Sequence, residues 1–254
     1  MANIINVPLE VTVVGQTVSN YQEIQDIYDQ ANGSYRDRDE NLNGLPLIEL
    51  AGRGCYEAYG RNHEKTDSHE GYVSNILTQK HYSVLEHVTY SFHIKGISRA
   101  ESHEIVRHRH FGFSQQSQRF CVVKEPYEVA LHPTLLDMYD EQALLDILAP
   151  SFIEAEAVYR DARERGYDRK PASEAARAFL PNAAATHMVV TGNLRSWLEF
   201  ISKRDHEAAD RGIRAVAQEI HAILKEDLPE IFSDEARAIW DEEFAQGKVQ
   251  HAAK

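Results

Sequence analysis

The segment over residues 98–119 is unusually rich in arginine, histidine, serine and glutamine. The guanidinium group of arginine is a planar set of donors that matches phosphate and carboxylate oxygens, and arginine is rarely buried without an anionic partner. Over residues 95–119 the basic side chains outnumber the two acidic ones, Glu101 and Glu104. The sequence therefore predicts a site for an anionic ligand.

The charge of the whole chain indicates which class of anion the predicted site would bind. The chain has 254 residues and a formal net charge of −13. A nucleic acid needs a broad basic face for its phosphate backbone, so this partner is disfavoured. The local excess of arginine favours a small anion such as a nucleotide.

The elements predicted around this segment would position its side chains. Ser98 and Glu101 have the spacing of a capping box, which predicts a helix over residues 99–109. A polar loop carrying Ser117 would follow, and then a strand over residues 118–123. The polar side chains would thus lie where a loop enters a sheet, a common place for binding groups.

The predicted helix over residues 99–109 could serve two ligands. Glu104 and Arg107 are three residues apart and would share a face, whereas Arg109 would point elsewhere. His103 and His108 resemble the zinc-protease helix, but that motif needs a spacing of four residues and the spacing here is five. No third ligand stands at a recognisable spacing, so no metal site is predicted.

Two other functions stay open on the residues alone. Ser117 could belong to a hydrolase, but no Asp and His stand at a known triad spacing to activate it. A metal-dependent hydrolase is the enzymatic alternative, and the five-residue spacing of His103 and His108 counts against it. A non-catalytic nucleotide-binding regulator could use the same arginines.

Hydrophobic patterning predicts an α+β fold in a single domain over residues 1–254, with a central, mostly antiparallel sheet flanked by helices. No regular βαβ alternation and no glycine-rich dinucleotide fingerprint is present. Strands are predicted over 7–14 and 88–94, and 183–190 is either a strand or a buried helix. Helices are predicted over 21–31, 45–59, 72–80, 135–148, 151–165, 194–203, 206–226 and, capped by Ser233, up to about 244. Pro150 is predicted to separate two of these helices, Ser173 to cap another, and the tail from about residue 245 to be disordered.

The two cysteines, Cys55 and Cys121, are too few for a disulfide framework and have no zinc-ligand spacing. Both are predicted to be small buried thiols. The first residues have no positively charged leader and no apolar run that could span a membrane. We therefore expect a cytoplasmic protein that has no membrane partner.

Several ordered motifs resemble one known family. Arg107-His108-Arg109, followed after seven residues by Ser117, resembles the signature of the flavin-dependent thymidylate synthases. Further anchors stand in the same order as in that family: HYSVLEH over residues 81–87, Ile97-Ser98-Arg99, Ala176-Arg177, Leu180-Pro181, Asn193-Leu194-Arg195 and Arg204. Together they extend over most of the chain, which makes the resemblance far more specific than a lone Arg-His-Arg.

The resemblance implies the reductive methylation of dUMP to dTMP. In that family 5,10-methylenetetrahydrofolate supplies the carbon, NADPH reduces FAD, and the flavin delivers the hydride, so the redox step belongs to the cofactor. The family also implies a homotetramer whose sites are shared between subunits.

The resemblance further implies roles for individual residues. Arg204 would be catalytic, favouring the uracil that is deprotonated at N3. The residues implied to bind dUMP are Glu104, Arg107, Gln115, Gln116, Ser117, Gln118, Arg119, Arg177 and Arg204. Those implied to bind FAD are Ser83, Arg107, His108, Arg109, Gln115, Asn193, Leu194, Arg195 and Glu199.

Two positions depart from the family pattern. Glu199 stands where an asparagine or histidine is expected. Ala208 stands where the family often has a histidine, and His206 lies two positions earlier. The cofactor contact at Ala208 is therefore left unassigned.

Overall fold

The computed structural model describes residues 3–31, 33, 44–60, 66, 68–122 and 124–245. Its strands are β1 Ile4–Asn6, β2 Glu10–Gln16, β3 Thr89–Ser98, β4 Gly112–Gln115, β5 Tyr127–Val129 and β6 Ala185–Asn193. Its helices are α1 Tyr21–Gln30, α2 Leu45–Gly54, α3 His69–Thr78, α4 Arg99–Ile105, α5 Pro133–Met138, α6 Glu141–Glu164, α7 Arg169–Ala176, α8 Leu194–Arg204, α9 Arg211–Asp227, α10 Pro229–Phe232 and α11 Asp234–Ala245. Two short 3₁₀ helices span Tyr82–His87 and Arg177–Phe179.

The main sheet has four antiparallel strands in the order β2-β3-β6-β4. A separate parallel pair joins β1 to β5. Buried and accessible side chains alternate along β3, as expected for a strand with one face against the core. Tyr90, Phe92 and Ile94 are fully buried, while His93 and Lys95 on the other face are not. The α+β expectation with a mostly antiparallel sheet is confirmed.

The chain divides into two compact units. The first unit comprises the described residues within 1–12, 93–190 and 210–216, and the second unit comprises the remaining described residues. A cluster in the first unit contains the buried side chains of Tyr127, Val129, Leu131, Leu144, Leu145, Phe152 and Ala184. The expectation of a single domain stays a prediction.

An aromatic core fixes α8 within the second unit. Trp197 is fully buried, and its ring lies edge-on to Phe92 at 5.0 Å and to Phe200 at 5.8 Å between centroids. The Trp197 indole N–H donates to the carbonyl of Gly192 at 3.1 Å. Large aromatic burial and a satisfied indole together hold this helix firmly.

Three predicted elements around the arginine-rich segment and beyond it were wrong. The helix that begins at Arg99 ends at Ile105. Residues 118–121 of the strand expected over 118–123 form a turn and a bend, and β4 lies earlier in the chain. Pro150 lies inside the continuous helix α6. Both halves of α6 pack into one cluster, through Leu145 before the proline and Phe152 after it, which offsets the helical hydrogen bond that proline cannot donate.

Other boundaries differ less. Residues 185–193 form strand β6, which decides the alternative left open for 183–190. Ser173 lies buried inside α7 and does not cap it, whereas Ser233 does cap α11 by accepting the N–H of Ala236 at 3.3 Å. The expected disordered tail lies outside the described residues. None of the described helices is long and apolar enough to cross a membrane.

Candidate active site

A capping box holds the start of α4 in the first unit. The Ser98 hydroxyl accepts the N–H of Glu101 at 3.1 Å, and the Glu101 carboxylate accepts the N–H of Ser98 at 2.7 Å. Burial raises the pKa of Glu101, while the hydrogen bonds from Ser98 oppose that shift. A Cβ at Gly212 would lie 2.0 Å from the Glu101 carboxylate, so only glycine allows this approach. The start of α4 is therefore closely fixed, as the sequence predicted.

The Arg-His-Arg triplet follows α4 in a turn and does not belong to the helix. Arg107 and Arg109 are exposed, His108 is half-buried, and the His108 ring stacks on Phe111 with centroids 6.0 Å apart. The predicted sharing of a helical face by Glu104 and Arg107 is therefore wrong, because the helix has already ended at Ile105. The turn still leaves both guanidinium groups accessible to a ligand.

A loop over residues 115–119, called the 115–119 loop below, extends from β4. The N–H of Gln116 donates to the carbonyl of His187 at 3.1 Å, which ties the loop to β6. The Ser117 carbonyl accepts the N–H of Phe120 at 3.2 Å and the N–H of Cys121 at 2.9 Å. These bonds make a turn where a strand was predicted. All five side chains of the loop, Gln115, Gln116, Ser117, Gln118 and Arg119, are half-buried.

One donor in this loop lacks a protein acceptor. The Nε2 atom of Gln115 is buried and has no hydrogen-bond partner among the described residues. Arg119, in contrast, donates to the carboxylate of Glu174 at 2.8 Å. Buried polar atoms are nearly always hydrogen-bonded, so an unpartnered one at a candidate site points to a missing ligand.

Arg99 and Arg177 form the most unusual electrostatic feature of the first unit. The Nη1 atom of Arg99 is buried and has no hydrogen-bond partner among the described residues. Burial lowers the pKa of Arg99, and the positive charge of the nearby Arg177 lowers it further. Neither guanidinium forms an ion pair with a described carboxylate. Two neighbouring cations without a counter-ion make a site for an anion.

Sequence reasoning placed Arg177 in the site but gave no role to Arg99. A signal was nevertheless present, because Arg99 is the first residue of α4. Cations are unfavourable at a helix N-terminus, where the helix dipole is positive. The unfavourable position of Arg99 is a local signal by which the sequence could have singled it out.

Gln118 and Arg177, which are distant in sequence, line one small cavity. Its volume of about 10 Å³ has room for about one water molecule. Ser173 also lines this cavity, and its buried hydroxyl has no partner among the described residues. The structure thus brings the 115–119 loop close to the start of the Arg177–Phe179 3₁₀ helix.

Asn193 and Leu194 join β6 to α8 in the second unit. The Asn193 side-chain carbonyl accepts the N–H of Ser196 at 2.9 Å and caps the helix. The Leu194 side chain is fully buried, and its N–H donates to the carbonyl of Val88 at 2.9 Å. The side chain and N–H of Leu194 therefore serve the fold, while the amide nitrogen of Asn193 has no hydrogen-bond acceptor among the described residues.

The other residues implied to bind FAD in the second unit lie on the surface or at its edge. Ser83 and Arg195 are exposed, and Glu199 is half-buried. Arg195 forms an ion pair with Glu86, and Glu199 forms one with Lys203. Such surface pairs contribute little to stability, so a ligand can replace them at low cost.

Arg204 is the last residue of α8 and is half-buried. The residue after it, Asp205, is held from α11: Arg237 donates to the Asp205 carboxylate at 2.6 Å and to its carbonyl at 3.3 Å. Gln218 donates to the same carboxylate at 2.9 Å. The peptide that carries Arg204 is therefore fixed from two other helices.

The segment after Arg204 answers part of the question raised at Ala208. His206 is exposed, and its Nδ1 accepts the N–H of Ala208 at 3.1 Å. The predicted helix over 206–226 was too long, because α9 begins at Arg211. His206 thus stabilises the turn that follows α8.

Both cysteines are exposed, so the expectation of buried thiols was wrong. Cys121 lies in the bend after the 115–119 loop and not inside a strand. Within the described part of the chain, no three His, Cys, Asp or Glu side chains are grouped to hold a metal ion.

Comparison with known proteins gives the family. The family described as thymidylate synthase complementing protein matches residues 39–230. The flavin-dependent thymidylate synthase of Mycolicibacterium vanbaalenii is 42% identical over 200 residues, which cover 75% of this chain and 79% of that protein. The chain belongs to the flavin-dependent thymidylate synthases. The member of that family from Mycobacterium tuberculosis strain H37Rv is 41% identical over 199 residues, with the same coverage.

Solved structures show the fold of the flavin-dependent thymidylate synthases as well. Thymidylate synthase X of Helicobacter pylori, crystallised with FAD and dUMP, has a TM-score of 0.61 at 21% identity and covers 90% of this chain and 99% of that one. The UMP/dUMP methylase PolB of Streptomyces cacaoi, bound with 5-Br UMP, has a TM-score of 0.64 at 17% identity and covers 96% and 98%. The family resemblance read from the sequence motifs is confirmed, and the individual residue roles stay predictions.

Proposed function

We propose that this protein methylates dUMP to dTMP, using 5,10-methylenetetrahydrofolate as carbon donor and NADPH-reduced FAD as hydride source. Membership in the flavin-dependent thymidylate synthases supports the reaction. The observation that carries the substrate class is the pair Arg99 and Arg177, two neighbouring cations with no described carboxylate between them. A nucleotide monophosphate supplies the missing anion.

The residues present fit FAD. The exposed guanidinium groups of Arg107 and Arg109 suit its phosphates, and the unpartnered Nε2 of Gln115 and the amide nitrogen of Asn193 suit neutral acceptors. Ser83, His108, Leu194, Arg195 and Glu199 are further proposed contacts. When bound and reduced, the flavin supplies the hydride.

The chain's own residues bind and polarise the nucleotide. The 115–119 loop, Glu104, Arg107 and Arg177 bind dUMP in this proposal. Arg204 places its positive charge beside N3 of the uracil, where it favours the deprotonated ring. The fixed peptide at Asp205 keeps that charge in one place, so little reorganisation is needed when the reaction begins.

The proposal includes an assembly and a location. Arg107 and Arg109 lie in an exposed turn, where they are accessible to a neighbouring subunit. Their exposure supports a homotetramer whose sites are shared between subunits. The enzyme is proposed to work in the cytoplasm, with no metal, nucleic acid or membrane partner. Light scattering at micromolar concentration tests the tetramer directly.

The visible absorption spectrum of the purified protein tests the proposed function. We expect oxidised-flavin bands in the protein as purified or after incubation with FAD, and a shift of these bands when dUMP is added. A protein that stays colourless after reconstitution would overturn the proposal and would favour a nucleotide-binding regulator. A bound flavin whose spectrum and reduction do not respond to dUMP would contradict the substrate.

Cys121→Ala is expected to keep thymidylate synthesis within about tenfold of the parent. Flavin-free thymidylate synthases use a cysteine thiolate to attack the pyrimidine, but a hydride from flavin requires no thiol adduct. Because Cys121 is exposed, its loss should also cost roughly 0.5 kcal/mol of stability or less. The measurement is dTMP formation by FAD-loaded protein, with Cys55→Ala as the matched control. A loss of several orders of magnitude with FAD and dUMP binding intact would identify Cys121 as the nucleophile.

A further inference from the structure

A nearly buried imidazole lies against the arginine that holds Asp205. His221 belongs to α9 and is 9% exposed. Its Nε2 lies 2.9 Å from the carbonyl oxygen of Phe232, and its Nδ1 lies 3.2 Å from Nη1 of Arg237. Both ring nitrogens of this histidine are therefore engaged, one with α10 and the other with α11.

The partners of His221 determine where its proton lies. A carbonyl oxygen only accepts hydrogen bonds, so Nε2 must carry the proton that it donates to Phe232. A guanidinium group only donates, so Nδ1 must be the unprotonated acceptor of the Arg237 N–H. These contacts fit one form of the ring, the neutral tautomer with its proton on Nε2. An imidazolium would turn Nδ1 into a donor that faces a second cation.

The groups around His221 favour the neutral ring on balance. Burial lowers the pKa of His221, and the positive charges of Arg237 and Lys225 lower it further. The hydrogen bond to the backbone carbonyl of α10 and the charge of Asp205 oppose this shift without cancelling it. Lys225, one turn further along α9, is itself paired with Asp234 of α11 at 2.7 Å. The pKa of His221 therefore lies below its ordinary value of 6.5.

Arg237 uses one nitrogen for both His221 and Asp205. Its Nη1 donates to the Asp205 carboxylate at 2.6 Å and to His221 at 3.2 Å, while its Nη2 donates to the Asp205 carbonyl at 3.3 Å. The guanidinium is a rigid planar fork, so an acceptor on one nitrogen sets the orientation of the whole group. The position of the His221 ring thus decides whether Arg237 can hold both oxygens of the residue that follows Arg204.

We propose that His221 is a positioning residue for Arg204. It acts through Arg237 and then through Asp205. The inference rests on the proposed function, in which the charge of Arg204 lies beside the uracil. Neutral His221 orients Arg237, which fixes the peptide after Arg204, so that the catalytic charge needs little reorganisation. When His221 takes up a proton, its Nδ1–H repels the guanidinium and this support is lost.

The turnover number of the parent should fall on the acid side. The neutral ring predominates above the folded pKa of His221, and the imidazolium replaces it as the pH falls through that value. The kcat should therefore be constant near neutral pH and decrease between about pH 5 and the ordinary histidine value of 6.5. Steady-state formation of dTMP by FAD-loaded protein gives this profile.

Two substitutions of His221 separate its hydrogen bonds from its proton. His221→Gln retains one donor and one acceptor on a planar group that does not titrate, so it should keep the parent kcat within about twofold at neutral pH and lack the acid decrease. His221→Leu removes both hydrogen bonds and should lower kcat about tenfold at every pH, with the KM for dUMP changed less than about threefold.

The same substitution in an Arg237→Met background distinguishes positioning from packing. If His221 acts through Arg237, His221→Leu should then lower kcat by less than about twofold, because the group that it orients is already absent. A purely structural role would give the same loss in both backgrounds.

His132→Gln is the matched control. The ring nitrogens of His132 are also both engaged, Nε2 with the carboxylate of Asp210 at 3.0 Å and Nδ1 with the N–H of Thr134 at 3.2 Å, but this histidine lies in the first unit. The control should show the parent kcat and the parent acid decrease.

Several outcomes would overturn the inference. These are a parent without an acid decrease, an unchanged decrease in His221→Gln, parent turnover in His221→Leu, or equal losses from that change in both backgrounds. Arg204→Ala shows which proposal has failed. If it retains full turnover, the role proposed for Arg204 fails and the inference with it. If it loses turnover while the His221 variants behave like the parent, only the inference fails.

Discussion

Arg204→Ala is expected to lower the rate of dTMP formation by two to three orders of magnitude while FAD binding and the fold are retained. A single well-placed donor or charge contributes roughly 2.7–4 kcal/mol to a transition state, and each 1.4 kcal/mol is about a tenfold change in rate. Arg204 ends α8, whose buried face is carried by Trp197 and its neighbours, so its loss leaves the packing of that helix intact. Product formation from dUMP, methylenetetrahydrofolate and NADPH is the measurement.

The pH dependence of this variant separates catalysis from folding. If Arg204 favours the N3-deprotonated uracil, the deficit should shrink as the pH approaches the pKa of free uracil, because solvent then removes the proton. Arg165→Ala is the matched control, since Arg165 is an exposed arginine that pairs with Asp161 at the end of another helix. Turnover of the Arg204 variant equal to that of the control would show that the role belongs to another residue.

Arg99→Met is expected to weaken dUMP binding by about 10- to 100-fold. A hydrogen bond to a charged group contributes about 1.5–3 kcal/mol, and methionine retains much of the side-chain volume while removing the charge. The free protein should be no less stable than the parent, because the substitution also removes the repulsion between Arg99 and Arg177. This combination of weaker binding and undiminished stability distinguishes a ligand-binding arginine from a structural one.

Titration of dUMP into the FAD-loaded protein measures the affinity, and thermal unfolding without nucleotide measures the stability. Arg165→Met again removes an exposed arginine from another place and should change neither value. The prediction fails if dUMP binds Arg99→Met as it binds the parent, or if the unliganded variant unfolds at a clearly lower temperature.

The sequence predicted those elements whose signals are local. The capping box at Ser98 depends on side chains that reach three residues along the chain, and it is present. Strand β3 follows from alternation over successive residues, each facing the opposite side of the sheet from its neighbours. Nearest-neighbour chemistry is sufficient to specify such features.

Some secondary-structure predictions were wrong, chiefly where contacts between residues distant in sequence determine the structure. The helical continuity through Pro150 depends on packing of both halves against one cluster, which no window of sequence contains. The turn that exposes Cys121 is an exception, because it is local: the Ser117 carbonyl accepts the N–H groups of Phe120 and Cys121, although the β-branched residues that follow suggested a strand. The end of α4 at Ile105 likewise changed the expected geometry of Arg107.

Most of the candidate site came from the family motifs, and the structure added what motifs cannot contain. The unpartnered nitrogens of Arg99 and Gln115 are visible only when burial and every nearby acceptor are known. The contact between Arg237 and Asp205 is also visible only in the structure, because Arg237 lies 33 positions after Arg204 and belongs to no recognisable motif. Spacing along the chain indicates which residues can meet, whereas burial shows which of them lack a partner.

The ion pair between Arg237 and Asp205 has a consequence for judging shortened relatives of this enzyme. Burial alone would raise the pKa of Asp205, but hydrogen bonds from Arg237 and Gln218 outweigh it and hold the pKa below its ordinary value of 3.8. The stability from this lowered pKa is fully present above about pH 4 and is lost only as the pH falls through the folded value. Near neutral pH the pair is therefore permanently charged. A chain that ended before α11 would retain every residue proposed to bind dUMP or FAD, yet it would lack the support of the peptide that carries Arg204. A complete set of ligand-binding motifs is thus insufficient evidence that a truncated homologue is active.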